Sequence, residues 1–131
     1  MSNGYIPIPM KVADIIDENS NVLEESFYKI NNSSNGLLKN IIKTSYLGCT
    51  MAFKRSVLNK SLPFPKNLPM HDWWLGLIGE IYGSTYFIED KLISYRRHGS
   101  NASPSSEKST DSLIHKVLFR INIVKNLIIK M

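Results

Sequence analysis

Two short stretches in the second half of the chain set acids and bases beside aromatic rings: Met70-His71-Asp72-Trp73-Trp74 and Tyr95-Arg96-Arg97-His98-Gly99-Ser100-Asn101. A carboxylate such as Asp72 can take a proton from a hydroxyl, and a positioned base contributes roughly 10²- to 10⁴-fold to a rate. If the chain from Leu92 is a strand, its period of two puts Leu92, Ser94, Arg96 and His98 on one face and Ile93, Tyr95 and Arg97 on the other. Arg96 can then grip phosphate oxygens through two parallel hydrogen bonds, while His98 donates a hydrogen bond or ligates a divalent metal. Together they suit a diphosphate. Each residue also has a plainer reading. Asp72 fits a helix N-cap that accepts from the N–H of Trp74 or Leu75. Arg96 fits an ion pair with Glu89 or Asp90, His98 a hydrogen-bonded histidine without chemistry, and His71 a loop histidine. Trp73 and Trp74, about 100° apart on a helix, both fit a core.

The elements around these stretches must position them. Residues 1–9, with Gly4, Pro7 and Pro9, read as an irregular lead-in, and 10–16 as a short apolar strand ending in the turn chemistry of 17–21. A polar loop over 31–36 precedes Leu37, Leu38, Ile41 and Ile42 at helical spacing. The run from Tyr46 to Phe53 has the composition of a buried strand. Gly48 then sits either where a ligand approaches the backbone or as a plain strand glycine, and Cys49 as a small core residue. A helix over 54–62 stops at Pro63, and Pro63, Pro65 and Pro69 make 63–70 an extended loop. That loop leads into a largely buried helix ending at Gly83. Two strands follow, from Tyr86 to Ile88 and from Leu92 to Arg97, on either side of Glu89-Asp90. Beyond a polar linker over 102–110, residues 111–131 predict a basic amphipathic helix with a stripe of Ile114, Val117, Leu118, Ile121, Val124 and Ile128. The mixture of helices and strands points to part of an α/β sandwich.

With 131 residues, 43% of them hydrophobic and 21% charged, the chain has the composition of one globular domain, neither collagen-like nor disulfide-rich. The lone Cys49 has no internal disulfide partner. No apolar stretch reaches the 18 to 20 or so residues of a spanning helix, and the first twenty residues lack a basic start before an apolar run, so the expected location is cytoplasmic. A formal charge of +5 favours anionic partners without choosing among them.

The residues Gly48-Cys49-Thr50-Met51-Ala52-Phe53, the His71-Asp72-Trp73 segment and the ending Tyr95-Arg96-Arg97-His98-Gly99-Ser100-Asn101 resemble, in order and spacing, the acceptor-side half of family 2 glycosyltransferases, particularly bacterial rhamnosyltransferase-like members. The resemblance covers about residues 10–101. It implies a GT-A-type, Rossmann-like α/β fold and an inverting transfer from a nucleotide-sugar donor to a hydroxyl of a glycan acceptor. Asp72 then matches the general base, with Arg96 and His98 on the diphosphate and metal side. Gly48, Thr50, His71, Trp73, Trp74 and Asn101 border the acceptor, one tryptophan serving as an apolar platform for a sugar ring. The resemblance also implies Mg²⁺ or Mn²⁺, but the carboxylates that hold it, and the nucleotide-binding strands, have no counterpart here. Residues 10–25 look like the strand and turn after that missing motif. The expectation is a truncated product or the distal half of a split enzyme, inactive alone and partnered by the missing N-terminal half.

Two other readings compete. A small nucleic-acid-binding module would use Arg96, Arg97, His98 and the basic tail on phosphates with aromatic rings stacked on bases, although Asp72 would repel phosphate. Alternatively, or in addition, residues 111–131 lie on an anionic membrane surface at the inner face of the cell membrane.

Overall fold

The computed structural model describes residues 5–8, 12–24, 26–68, 70–88, 90, 92–98 and 112–131. In chain order the elements are β1 (Tyr5–Ile8), β2 (Val12–Ile16), β3 (Val22–Glu24), α1 (Phe27–Asn31), α2 (Leu37–Ile42), a 3₁₀ turn (Gly48–Thr50), α3 (Arg55–Ser61), α4 (His71–Tyr82), β4 (Ser84–Phe87), β5 (Ile93–Arg96) and α5 (Leu113–Lys130). Strands β1 and β4 pair in parallel, with Tyr5 opposite Ser84. In a second, three-stranded sheet β2 is central, antiparallel to β3 and parallel to β5. Among the described residues this is a mixed α/β architecture.

Helix α4 organises the core. The chain arrives extended at Met70, turns helical at His71, and buries Trp73, Trp74, Leu77 and Ile78 before Gly83 ends the helix. Trp74 is 0% exposed. Burial of a ring that covers 150–250 Å² corresponds to on the order of 4–6 kcal/mol of apolar transfer, an upper figure because the unfolded chain is partly compact. Each indole N–H keeps a partner, as a buried donor must: Trp73 Nε1 donates to Asn40 O at 2.6 Å and Trp74 Nε1 to Ser61 O at 3.1 Å. The two tryptophans thereby tie α4 to the C-terminal ends of α2 and α3.

The Tyr46 ring lies across α4 at Gly76, where an added methyl would come within 2.2 Å of Tyr46 Cδ2. Its hydroxyl donates to Glu80 Oε1 at 2.6 Å, and the same oxygen accepts from Thr85 Oγ1 at 2.6 Å and from the Gly36 N–H at 2.9 Å. Burial, reinforced by the Glu80 carboxylate, holds the Tyr46 phenol well above its ordinary range, so it remains a donor. Glu80 thus joins α2, α4 and β4 at one atom. It is the lone acid in the run from Trp73 to Tyr82.

Several elements differ from expectation. The lead-in contains β1, because a strand at a sheet edge tolerates Pro7. Residues 46–53 are not a strand: the backbone is extended at Leu47, turns over Gly48–Thr50 and is extended again at Met51. The β3 strand and α1 helix are too short for a period, and the Ser26 cap, whose Oγ accepts from the Lys29 N–H at 3.4 Å, is the local signal that marks α1. Strand β5 does keep its period of two, with Tyr95 and Arg97 half-buried while Ser94, Arg96 and His98 face outward. The linker expected over 102–110 lies outside the described residues.

The C-terminal helix is not an appendage. Ser112 caps α5 by accepting from the His115 N–H at 3.3 Å, and Ile123 and Leu127 enter the core. Arg120 lies over the Trp73 ring at 5.8 Å and donates through Nε to Ile42 O at 2.9 Å. The stripe of Ile114, Val117, Leu118, Ile121, Val124 and Ile128 faces solvent.

Candidate functional site

Asp72 is the second residue of α4, not its N-cap, which is Met70. Its Oδ1 accepts from the N–H of the adjacent Trp73 at 2.8 Å, and Oδ2 accepts from the N–H of Gly48 at 2.9 Å. Neither Trp74 nor Leu75 is the donor; the Trp74 N–H is taken by Met70 O at 3.3 Å. The carboxylate is therefore fixed by two backbone groups from different parts of the chain. Each oxygen of a carboxylate has two acceptor sites, so each retains one after these bonds form. Asp72 is half-buried.

The turn over Gly48–Thr50 explains how the donor reaches it. Thr50 is buried, its Oγ1 donating to Leu47 O at 2.8 Å and lying 3.0 Å from the Tyr28 hydroxyl. Thr50 thus holds the turn closed and does not line an open pocket. Gly48 presents its backbone outward, and a Cβ there would stand 3.4 Å from Asp72 Cβ and Oδ2. Cys49, expected in the core, is exposed beside Asp72. Partial burial of its sulfur pushes the thiol up, and the Asp72 carboxylate adds to that shift. The thiol is therefore not an activated nucleophile. A three-residue turn gave no periodicity from which its exposure could be read.

His71 is exposed and packs its ring edgewise on Phe64, with centroids 4.9 Å apart. Gly48, Cys49, His71 and Asp72 thus form one surface, assembled from two of the three sequence stretches. Trp73 and Trp74 lie beneath it as core, which leaves neither ring as a platform for a sugar.

Arg96 reaches the turn that follows β2. Its Nη1 donates to Asp17 O at 2.8 Å and Glu18 O at 2.7 Å, and its Nη2 to Ser20 Oγ at 2.9 Å. The guanidinium fork clamps the turn between β2 and β3 from the neighbouring strand. That turn is also closed by Asp17, whose Oδ1 accepts from the N–H groups of Asn19 and Asn21, each at 2.8 Å. Exposed His98 follows on the same face. Asn101 lies outside the described residues. Among the described residues no three His, Cys, Asp or Glu side chains gather to hold a metal. By themselves they therefore supply no complete ligand set for the divalent ion that the resemblance implies.

No family model, no curated protein and no solved structure matches this chain.

Proposed function

We propose that this chain carries the acceptor side of an inverting glycosyl-transfer site, within a GT-A-type fold, with Asp72 as general base. The observation that supports this most is the Asp72 carboxylate, pinned by the Gly48 and Trp73 N–H groups yet only half-buried. An acceptor hydroxyl donates its hydrogen bond to a remaining Asp72 lone pair. As that oxygen bonds to the anomeric carbon of a nucleotide sugar, its proton passes to Asp72, and the bond from the anomeric carbon to the diphosphate breaks on the opposite face. The two N–H anchors favour a fixed aim, which matters more for proton transfer than strong basicity. The donor's nucleotide and any divalent metal belong to a complementary half of the enzyme, and no step here is routed through a metal.

Nucleic-acid binding gains less from this arrangement. Trp73 and Trp74 are buried, and Arg96 and Arg120 are engaged with backbone carbonyls.

Amide NMR on the chain tests the proposal. Titration with a panel of oligosaccharide acceptors is expected to move the Gly48 and Trp73 amide resonances, while nucleotide sugars alone bind weakly or not at all. Tight nucleotide-sugar binding at a distant surface, with the Gly48 and Trp73 amides unmoved by any glycan, would contradict it.

A further inference from the structure

Helix α5 is apolar on two sides, and only one is used by the fold. Ile123 and Leu127 point into the core. On the other side Ile114, Val117, Leu118, Ile121, Ile128 and Ile129 are exposed, Ile114 to 71% and Ile129 to 72%. At about 100° per residue these six occupy an arc of roughly 120°. Lys125 is the charged residue within that arc, near its middle, and it lines a shallow apolar hollow along the second half of the helix with Ile121, Val124, Ile128 and Ile129. Contiguous apolar surface of this kind marks a place of contact, because monomeric proteins rarely leave more than a few hundred Å² of it uncovered.

Charge identifies the partner. Residues 112–131 contain four Lys or Arg and no Asp or Glu, and residues 26–71 contain seven and none. These two stretches are joined along the flanks of α5. Arg120 binds the Ile42 carbonyl next to Lys43, and Asn122 Nδ2 donates to Asn67 O at 3.2 Å, next to Lys66. At the far end the Tyr82 hydroxyl donates to Lys130 O at 2.6 Å, with Lys60 Nζ 4.8 Å from the Tyr82 ring centre. The segment beside α5 also exposes Leu38 and Ile42. An apolar strip is thus bordered on both sides by cations from acid-free stretches. A second copy of the chain would set two such positive surfaces against each other. A bilayer with anionic headgroups supplies acyl chains for the strip and negative charge for its border in one surface.

We infer that the outer face of α5 docks on an anionic lipid bilayer, with the helix in the interfacial plane and Lys125 reaching back to the headgroups along its own stem. This inference is independent of the glycosyl-transfer reading. Co-sedimentation of the full chain with mixed phosphatidylcholine and phosphatidylglycerol vesicles, alongside pure phosphatidylcholine vesicles, tests it. Binding is expected to the mixed vesicles, at least about tenfold weaker to the neutral ones, and weakened by added salt. The double variant Ile121→Asp/Ile128→Asp, at two exposed positions, is expected to keep its helical circular dichroism and melting temperature while losing binding about tenfold or more. Equal binding to both vesicle types, binding to neither, or equal binding by the double variant would overturn the inference. So would a dimer that the double variant abolishes without any vesicle binding, which would assign the face to a second copy.

Discussion

The Gly48 N–H donates to Asp72 Oδ2 at 2.9 Å across 24 positions of sequence, so a 3₁₀ turn and the first turn of a helix share one hydrogen bond. That bond aims the carboxylate, and it also explains why the chain turns at Gly48. An extended strand through 46–53 would not close the turn whose first N–H reaches Asp72.

Gly48→Pro removes this donor at a position where the backbone accepts proline. Leu47 before it is extended, at φ −128° and ψ 114°, and proline is tolerated in the first position of a helical turn. The ring Cδ also stands where the N–H pointed at Asp72 Oδ2, so the carboxylate must turn away, and the expected loss in denaturant melts is at least about 1–2 kcal/mol, the cost of a charged group losing one partner. Gly48→Ala keeps the donor, and its Cβ meets Asp72 at an ordinary contact distance of 3.4 Å, so it should stay within about 0.5 kcal/mol of the parent. Equal melts for the two variants would mean the bond does not hold Asp72.

Cys49 reports on Asp72 electrostatically. Partial burial and the nearby carboxylate hold the thiol in its protonated form to higher pH than a free cysteine. Alkylation by iodoacetamide should therefore have its pH midpoint above that of a cysteine peptide, and Asp72→Asn should move the midpoint down. A midpoint at or below that of the peptide, unchanged by Asp72→Asn, would separate the two residues.

Arg96→Ala should loosen the turn between β2 and β3, since three acceptors lose their donors together. The expected cost is about 1–2 kcal/mol, with faster amide exchange at Asn19 and Asn21. Arg96→Lys should recover little of it, because an ammonium cannot span acceptors laid out for a fork. An unchanged melt together with lost diphosphate binding in the assembled enzyme would return Arg96 to the donor site.

The same turn should respond to acid. Hydrogen bonds from Asn21, then from Asn19, with a smaller contribution from Arg96, lower the Asp17 carboxyl below its ordinary value of 3.8. A carboxyl depressed on folding contributes stability above its unfolded value, and that contribution is lost as pH falls through the lowered one. Between pH 7 and 5 the turn should be unaffected. Below about pH 4 the Asn19 and Asn21 amides should lose protection in the parent, while Asp17→Asn should show no such acid step. An Asp17 titration at or above the ordinary value would contradict this.

The parts of the fold visible in the sequence are those where a local signal and the tertiary demand agree. Pro63, Pro65 and Pro69 followed by Trp73, Trp74, Leu77 and Ile78 fix a loop and then a buried helix, and α4 is where they place it. The alternation in β5 separated Arg96 from Arg97 correctly, but alternation gives a face and not its contents, so the carbonyls of Asp17 and Glu18 could not be foreseen. In α5 the apolar positions were countable. The choice of inward side was not, because Ile123 and Leu127 and the outer stripe both suit a core, and the contacts of Arg120 with the last residue of α2 and of Asn122 with the loop after α3 fix the rotation. Tyr46–Phe53 has the composition of a strand, and the need to seat the Tyr46 ring on Gly76 and the Gly48 N–H on Asp72 overrides that local preference.

Turnover by Asp72→Asn in the transferase that the proposal implies, with this chain joined to a nucleotide-sugar-binding half, tests the central claim most directly. Asparagine keeps an oxygen for the Gly48 or Trp73 N–H but cannot take a proton. The account predicts kcat lower by about 10²-fold or more, with the nucleotide-sugar KM nearly unchanged and stability lower by no more than about 1–2 kcal/mol, the cost of one lost N–H acceptor. Turnover within about threefold of the parent would show that Asp72 only fastens the Gly48 turn to α4.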